Sequence, residues 1–379
     1  MLRIFLQERL GNLMIVRAFG MERQSEAGAA AVMREHQSAR MRRNHFSNLC
    51  NTGFGAAMNG LYAFGAVFCG YGLLRGTMSY GTMTAILQLV SQIQTPFANL
   101  SGYLPQYYSM LASADRLREA EEYPDDSDEE SLSAEEIQKF YQNRFQTLKL
   151  KDVSFSYQSL KDEPAESGHE ESSQLKNISL EIRKGEYVAF SGTSGCGKST
   201  LLKLLMCLYP SDSGTLFLTD SDGTKYPLTA AWRGLFAYVP QGNQLMSGSI
   251  REIIAFGDTD RMKEDEKLWN ALRIACADTF VKELEQGLET TLGERGAGLS
   301  EGQTQRIAIA RAVFSDRPVL LLDESTSALD EMTEQQLLEN LRAMTDRTVI
   351  IVTHRPAALT VCSKWCIFTE SGVSYHDSK

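Results

Sequence analysis

Hydrophobic positions along the 379-residue chain fall into three regimes. In MLRIFLQERLGNLMIVRAFGMERQ, Leu2, Ile4, Phe5, Leu10, Leu13, Met14 and Val16 recur at helical spacing with charge between them. That spacing predicts one amphipathic helix that packs against a neighbour. Gln7, Glu8 and Arg9 interrupt the apolar residues too early for a secretory signal. From Asn44 to Leu74, and again from Gly76 to Ala114, there is no Asp, Glu, Lys or Arg. Each run exceeds the roughly 20 residues that cross a bilayer, which predicts two membrane spans, at about 46–74 and 82–112. Beyond residue 145 the pattern changes to short apolar strands separated by turns and helices: TLKLKDVSFSY, ISLEI, YVAF, VLLLDE and TVIIVT.

Glycine is frequent in the first uncharged run (Gly53, Gly55, Gly60, Gly65, Gly70, Gly72), as suits helices in close contact within lipid. Arg34, Arg40, Arg42 and Arg43 precede it, and Arg116 and Arg118 follow the second run, whereas the connection carries Arg75 alone. The excess of positive charge at the outer ends puts them in the cytosol. In the second run Gln88, Gln92, Thr95, Asn99 and Gln106 return to one helical face, which meets either neighbouring helices or a wet pathway. Pro96 and Pro105 are expected to bend that helix unless neighbours satisfy the freed carbonyls.

Charge changes the picture only locally. Ten acids and no base fall within 119–136, and five acids with one Lys within 158–174, so these two stretches more than account for the net charge of -10. They read as solvated segments, the first a linker over 119–144 and the second an insertion. The seven cysteines have no framework spacing, which suits a reducing compartment. Cys362 and Cys366 lack the second Cys/His pair of a zinc site.

The candidate chemistry lies in the last regime, 145–379. GTSGCGKST, Gly192 to Thr200, follows a strand and precedes LLKLLMCL, the context in which such a loop binds phosphate. Its glycines, with Ser194 among them, let backbone N–H groups close around phosphate oxygens; Lys198 adds a point charge and Ser199 a hydroxyl for Mg²⁺. RPVLLLDES ends a buried-type strand in Asp323, suited to holding a Mg²⁺ shell, and Glu324, suited to orienting or deprotonating water. TVIIVT ends at His354. Three strands ending in GKS, DE and H converge on the sheet edge where parallel α/β sheets bind ligands.

With AYVPQ (Ala237–Gln241), LSEGQ (Leu299–Gln303) and SALD (Ser327–Asp330) added, the motifs resemble those of the ATP-binding-cassette (ABC) transporters, in family order. The resemblance extends over essentially the whole chain. It implies an α/β P-loop ATPase with a helical subdomain, over 145–379, preceded by an all-α membrane segment of two transmembrane helices within 1–118. It implies ATP and Mg²⁺ as ligands and ATP hydrolysis coupled to export. By that resemblance, Tyr157 stacks on adenine and Gln241 senses Mg²⁺; Gly192, Ser194, Gly195, Gly197, Lys198, Ser199 and Thr200 hold the phosphates, and His354 contacts the last of them. Ser300, Gly302 and Gln303 would close over ATP held by a second half-transporter, with Asp330 in the loop crossing that interface. The partner is a like or unlike half-transporter, with lipid around the spans, an unidentified substrate and no nucleic acid. The expected location is the plasma (inner) membrane, multi-pass, with the ATPase in the cytosol.

Glu301 stands where the family most often has glycine; turned outward, it would be harmless. The segment from Tyr157 to Leu175 is about ten residues longer than usual. Exporter-type members carry six membrane helices before the ATPase. Against that layout the opening stretch resembles a cytosolic coupling helix after the fourth span, so the chain looks like the C-terminal part of a half-transporter, lacking roughly four helices. Two other readings share some of these features: a soluble ABC ATPase, which would lack the uncharged runs, and a fragment that binds nucleotide without turnover. Cys196 lies inside the phosphate loop. Its alkylation is expected to abolish ATP binding, and ATP to protect it; undiminished binding by fully alkylated protein would contradict this.

Overall fold

The computed structural model describes residues 2–121, 131–157, 175–242, 244–293, 296–369 and 372–377. It divides into two compact units, Met1–Pro124 and Asp125–Lys379. The whole acidic insertion at 158–174, and residues 122–130 of the expected linker, lie outside the described residues.

The first unit is helical: α1 (Leu2–Gly11), α2 (Leu13–Ala18), α3 (Glu22–Leu74) and α4 (Tyr80–Glu121). The single amphipathic helix expected at the start is two, broken at Asn12 (φ -106°, ψ 24°). Gly11 and Asn12 are both poor helix formers, and the Asn12 amide donates back to the Glu8 carbonyl at 2.9 Å. Leu10, Met14 and Ile15 are exposed, and among the described residues of α1 and α2 only Val16 is buried. The first uncharged run is the end of a 53-residue helix, α3. At about 1.5 Å per residue that helix far exceeds the thickness of a hydrocarbon core. Among the described residues, Gly55–Leu74 is the one segment long and apolar enough to cross a membrane, with mean hydropathy 1.3. Its large side chains, Phe64, Val67, Phe68 and Leu74, face outward, the reverse of a soluble core helix. The expected second span lies on α4, which continues unbroken through Pro96 and Pro105. Gln88, Gln92 and Gln106 are exposed, and the side chains of Thr95 and Asn99 are outside the described residues.

The second unit begins earlier than its strand pattern implied. Residues 134–143, assigned above to the linker, form helix α5 (Ala134–Asn143), which packs into the core. Ser133 caps it: its hydroxyl accepts from Glu136 N–H, and Glu136 returns a carboxylate to the Ser133 N–H at 2.9 Å. That reciprocal arrangement satisfies two donors left over at the helix start. Ile137, Phe140 and Tyr141 share the inward face. Phe140 sits 4.7 Å from the Trp232 ring and 5.2 Å from that of Tyr226. Ile137 fits because Gly234 has no Cβ, which would lie 2.5 Å from Ile137 Cδ1.

The chain continues through β1 (Phe145–Phe155), β2 (Leu175–Arg183), β3 (Tyr187–Gly192), α6 (Lys198–Leu205), β4 (Ser213–Asp220), β5 (Lys225–Pro227) and β6 (Phe236–Val239). Next come β7 (Gly248–Ser249), α7 (Ile250–Ala255), α8 (Asp265–Ile274), α9 (Asp278–Glu283), β8 (Thr291–Leu292) and α10 (Glu301–Phe314). The last elements are β9 (Val319–Asp323), α11 (Glu331–Arg342), β10 (Thr348–Val352), α12 (Pro356–Val361), β11 (Lys364–Thr369) and β12 (Gly372–Asp377). Strands β2-β1-β4-β5 form an antiparallel sheet, and β12-β11-β3-β10-β9-β6 a larger one, parallel except for its β12 edge. Strands β9 and β10 are buried at every residue, as a sheet covered on both faces requires. One core cluster fills the space between the two sheets, and the other packs α7 to α11 on the opposite face.

Truncating Phe140→Ala is expected to lower the stability of this unit by about 3 kcal/mol. All three tryptophans lie in it, so denaturant unfolding of the chain followed by tryptophan fluorescence reports on it alone. An unchanged midpoint would mean that α5 is a loosely attached linker.

Candidate functional site: a phosphate-binding edge

Register brings the site together. Val352 of β10 pairs with Phe190 of β3 on one side and with Asp323 of β9 on the other, while Val239 of β6 pairs with Leu322. Four adjacent parallel strands therefore end level, and the phosphate loop, His354, the Asp323–Glu324 pair and Gln241 leave from that one edge.

The phosphate loop turns on glycines at positive φ: Gly192 at 135°, Gly195 at 84° and Gly197 at 90°. A Cβ on Gly192 would lie 2.2 Å from the Phe368 carbonyl oxygen, so no other residue fits beside β11. Ser194 and Gly195 are exposed at the tip, and Thr200 is buried at the base. Lys198 is buried, and its ammonium donates to the carbonyls of Gly192 (2.8 Å) and Thr193 (2.9 Å), with the Cys196 sulfur at 3.6 Å. The charge is held inside the loop rather than in solvent.

Asp323 is buried, yet both its oxygens have donors: Ser199 Oγ to Oδ1 at 2.9 Å and the Tyr238 hydroxyl to Oδ2 at 3.1 Å. Burial raises its pKa above the usual carboxylate value, and the two hydroxyls oppose that. Burial, then the neighbouring Asp323 charge, pushes the Tyr238 phenol well above its ordinary value, so it remains a donor. Glu324 has φ 48°, a left-handed conformation that costs a non-glycine residue free energy and is common at functional sites. Its N–H donates to the Val352 carbonyl at 3.0 Å. That turn takes its side chain out of the sheet. Oε2 accepts from Gln241 Nε2 at 2.5 Å, and Oε1 lies 3.6 Å from His354 Nε2.

Tyr157 closes the far end of the loop. Its hydroxyl is 3.4 Å from Thr200 Oγ1, and its ring stands edge-on to Phe155 and Tyr209, with Lys203 over its face at 5.8 Å.

The LSEGQ residues sit elsewhere. Ser300 caps α10 and forms a capping box with Gln303 (Ser300 N–H to Gln303 Oε1, 2.9 Å). Glu301 is exposed in the first turn, where the helix dipole favours an acid. A Cβ on Gly302 would lie 2.9 Å from the Ala328 carbonyl oxygen, so glycine lets α10 lie against the 325–330 loop. Asp330 caps α11, accepting from Thr333 N–H (2.9 Å) and Oγ1 (2.7 Å), bonds that hold its carboxyl below the usual range. Among the described residues, no hydrogen bond or ion pair joins Ser300, Gly302, Gln303 or Asp330 to the phosphate loop.

Other residues of the site escaped sequence reasoning. Gln305 holds the 325–330 loop from α10, accepting from Ala328 N–H and donating to Ser327 Oγ. Arg355, next to His354, donates to the carbonyls of Ser327 and Leu329 and to buried Glu334, whose other oxygen accepts from Thr326. Tyr238 stands inside AYVPQ and Arg355 directly follows His354, but spacing alone does not reveal their partners.

This arrangement has known counterparts. A family profile described as "ABC transporter" matches residues 175–327, and one described as "ABC transporter transmembrane region" matches 4–97. The chain is 32% identical over 309 residues to the uncharacterized ABC transporter ATP-binding protein YwjA of Bacillus subtilis, covering 81% of this chain and 50% of that protein. It is 34% identical over 281 residues to the ATP-dependent lipid A-core flippase of Pasteurella multocida, 73% of this chain and 45% of that one. It is 35% identical over 286 residues to the leukotoxin translocation ATP-binding protein LktB of Mannheimia haemolytica, 75% and 37%. A solved bacterial Atm1-family ABC exporter with ATP bound superimposes with a TM-score of 0.83 at 26% identity, over 98% of this chain and 62% of that one. The chain thus spans about half the length, or less, of these curated relatives. It belongs to the ABC transporter family, as an exporter-type member that joins part of a transmembrane region to an α/β nucleotide-binding domain.

Proposed function

We propose that this chain is the ATP-binding and ATP-hydrolysing subunit of an ABC exporter. The observation that carries the reading is the carboxyl edge of the large sheet. There a buried ammonium inside a glycine loop, a hydroxyl–carboxylate pair and a carboxylate off the next residue converge.

The loop from Gly192 to Thr200 offers N–H groups and Lys198 to the phosphates, and the tightness around Gly192 supports that fit. Ser199 and Asp323 are hard oxygen donors, suited to Mg²⁺, which is commonly held by one or two protein oxygens together with phosphate oxygens; Gln241, whose amide nitrogen is bonded to Glu324, would offer its amide oxygen as a further ligand. Bound there, Mg²⁺ would neutralise charge on the two outer phosphates. Water attacks the γ-phosphorus and gives its proton to Glu324, while the bond from phosphorus to the ADP oxygen breaks. Gln241 and His354 flank Glu324 at the two sides of its carboxylate, where they orient the water and the γ-phosphate. Tyr157 offers its ring to adenine.

Among the described residues, Ser300, Gly302 and Gln303 have no hydrogen bond or ion pair to this chain's own phosphate loop, which suits a role toward ATP on a second half-transporter, with Asp330 at the contact. The domain boundaries proposed with this reading are 1–118 for the membrane region, with spans at 46–74 and 82–112, then a linker of about 119–130, then the ATPase; the packing of α5 into the core supports starting it there instead of at residue 145. Pairing of two ATPase units around ATP would drive the membrane helices to move substrate out of the cytosol across the plasma or inner membrane.

Glu324→Gln is expected to cut phosphate release at least about 100-fold while leaving ATP binding intact, and Lys198→Ala to abolish binding. Both are read by phosphate release and equilibrium nucleotide binding on the membrane-extracted chain. Turnover at background in the dimer, unaltered by Glu324→Gln, would instead indicate a subunit that binds nucleotide without consuming it.

A further inference from the structure

Asp323 is almost fully buried, and a buried carboxylate keeps its charge and orientation only through the donors around it. Its Oδ1 is served by Ser199, on the phosphate loop. Its Oδ2 is served by the hydroxyl of Tyr238, on β6, the strand that leads into Gln241. One donor comes from the first turn of α6, which follows β3, and the other from β6, the strand paired with β9, so together they fix the carboxylate plane. Ser199 lies in the first turn of α6, whereas Tyr238 belongs to the sheet, paired in register with Leu321. The Tyr238 ring is half-buried, packed against the core cluster that fills the space between the two sheets. Deleting its hydroxyl therefore takes little from the core but leaves Oδ2 without its protein donor.

We infer that Tyr238 is a positioning residue for the metal: its hydroxyl holds Asp323 in the orientation that receives the divalent cation accompanying ATP. The inference rests on the reading of the site as a Mg²⁺–ATP site. Outer-shell hydrogen bonds of this kind typically change metal affinity about 10-fold to 100-fold when removed, without touching the nucleotide.

The test is Tyr238→Phe in the full chain, with Mn²⁺ as the probe. Free Mn²⁺ is followed by electron paramagnetic resonance in the presence of ATP, and ATP binding is measured separately in excess chelator. The expected result is a Mn²⁺ affinity about 10-fold weaker, with unchanged ATP affinity in chelator. The metal dependence of turnover should move by the same factor, and the rate at saturating metal should largely recover. Equal Mn²⁺ affinity in the two proteins overturns the inference while leaving the ATPase reading intact. Loss of ATP binding in chelator also overturns it, because the hydroxyl would then be supporting the fold rather than the metal. Absence of Mn²⁺–ATP binding by the unsubstituted chain removes the underlying reading, and the inference with it.

Discussion

Parallel pairing of β10 with a strand on each side is the constraint from which the site follows. Val352 stands level with Phe190 and with Asp323, and the ladder runs one step further through Thr353 N–H to Phe190 and Glu324 N–H to Val352. A slip of one residue would turn every side chain to the other face. Because β9 and β10 are buried on both faces, a slip would be resisted at their ends, where it would draw Asp323 into the core or push an apolar residue out of it. The hydrophobic effect thus sets the register, and the register sets where Lys198, Asp323, Glu324 and His354 leave the sheet.

Charges at that edge are then managed by local donors. Lys198 is held by its own loop's carbonyls, Asp323 by two hydroxyls, and Glu334 by Thr326 and Arg355. Arg355 and Gln305 grip the 325–330 loop from opposite sides, so the backbone around His354 and the start of α10 share one segment. Gly302 makes that contact possible by leaving room for the Ala328 carbonyl.

Much of this was legible in the chain. Phosphate-loop glycines, strand-end carboxylates and uncharged runs each declare themselves through side-chain chemistry at fixed spacing. Other parts were hidden for physical reasons. The inward positions of α5, Ile137, Phe140 and Tyr141, follow a run of acids that dominates the composition, so the stretch looked like solvated linker. The break at Asn12 depends on one residue's backbone choice within an otherwise periodic pattern. Tyr238 carries no signal of its own in AYVPQ because its partner, Asp323, is 85 positions away, and Glu334 and Arg355 meet across 21. Pairings at that separation are fixed by sheet order, which periodicity does not encode.

The most direct test of the site as a place where ATP is consumed is trapping with orthovanadate, which replaces the released phosphate. Protein incubated with radiolabelled ATP, Mg²⁺ and vanadate, then freed of unbound nucleotide, is analysed for what it retains. The expected result is ADP, held in proportion to protein, lost with Lys198→Ala and dependent on Mg²⁺. Retention of intact ATP, or of no nucleotide, would contradict hydrolysis at this edge of the sheet.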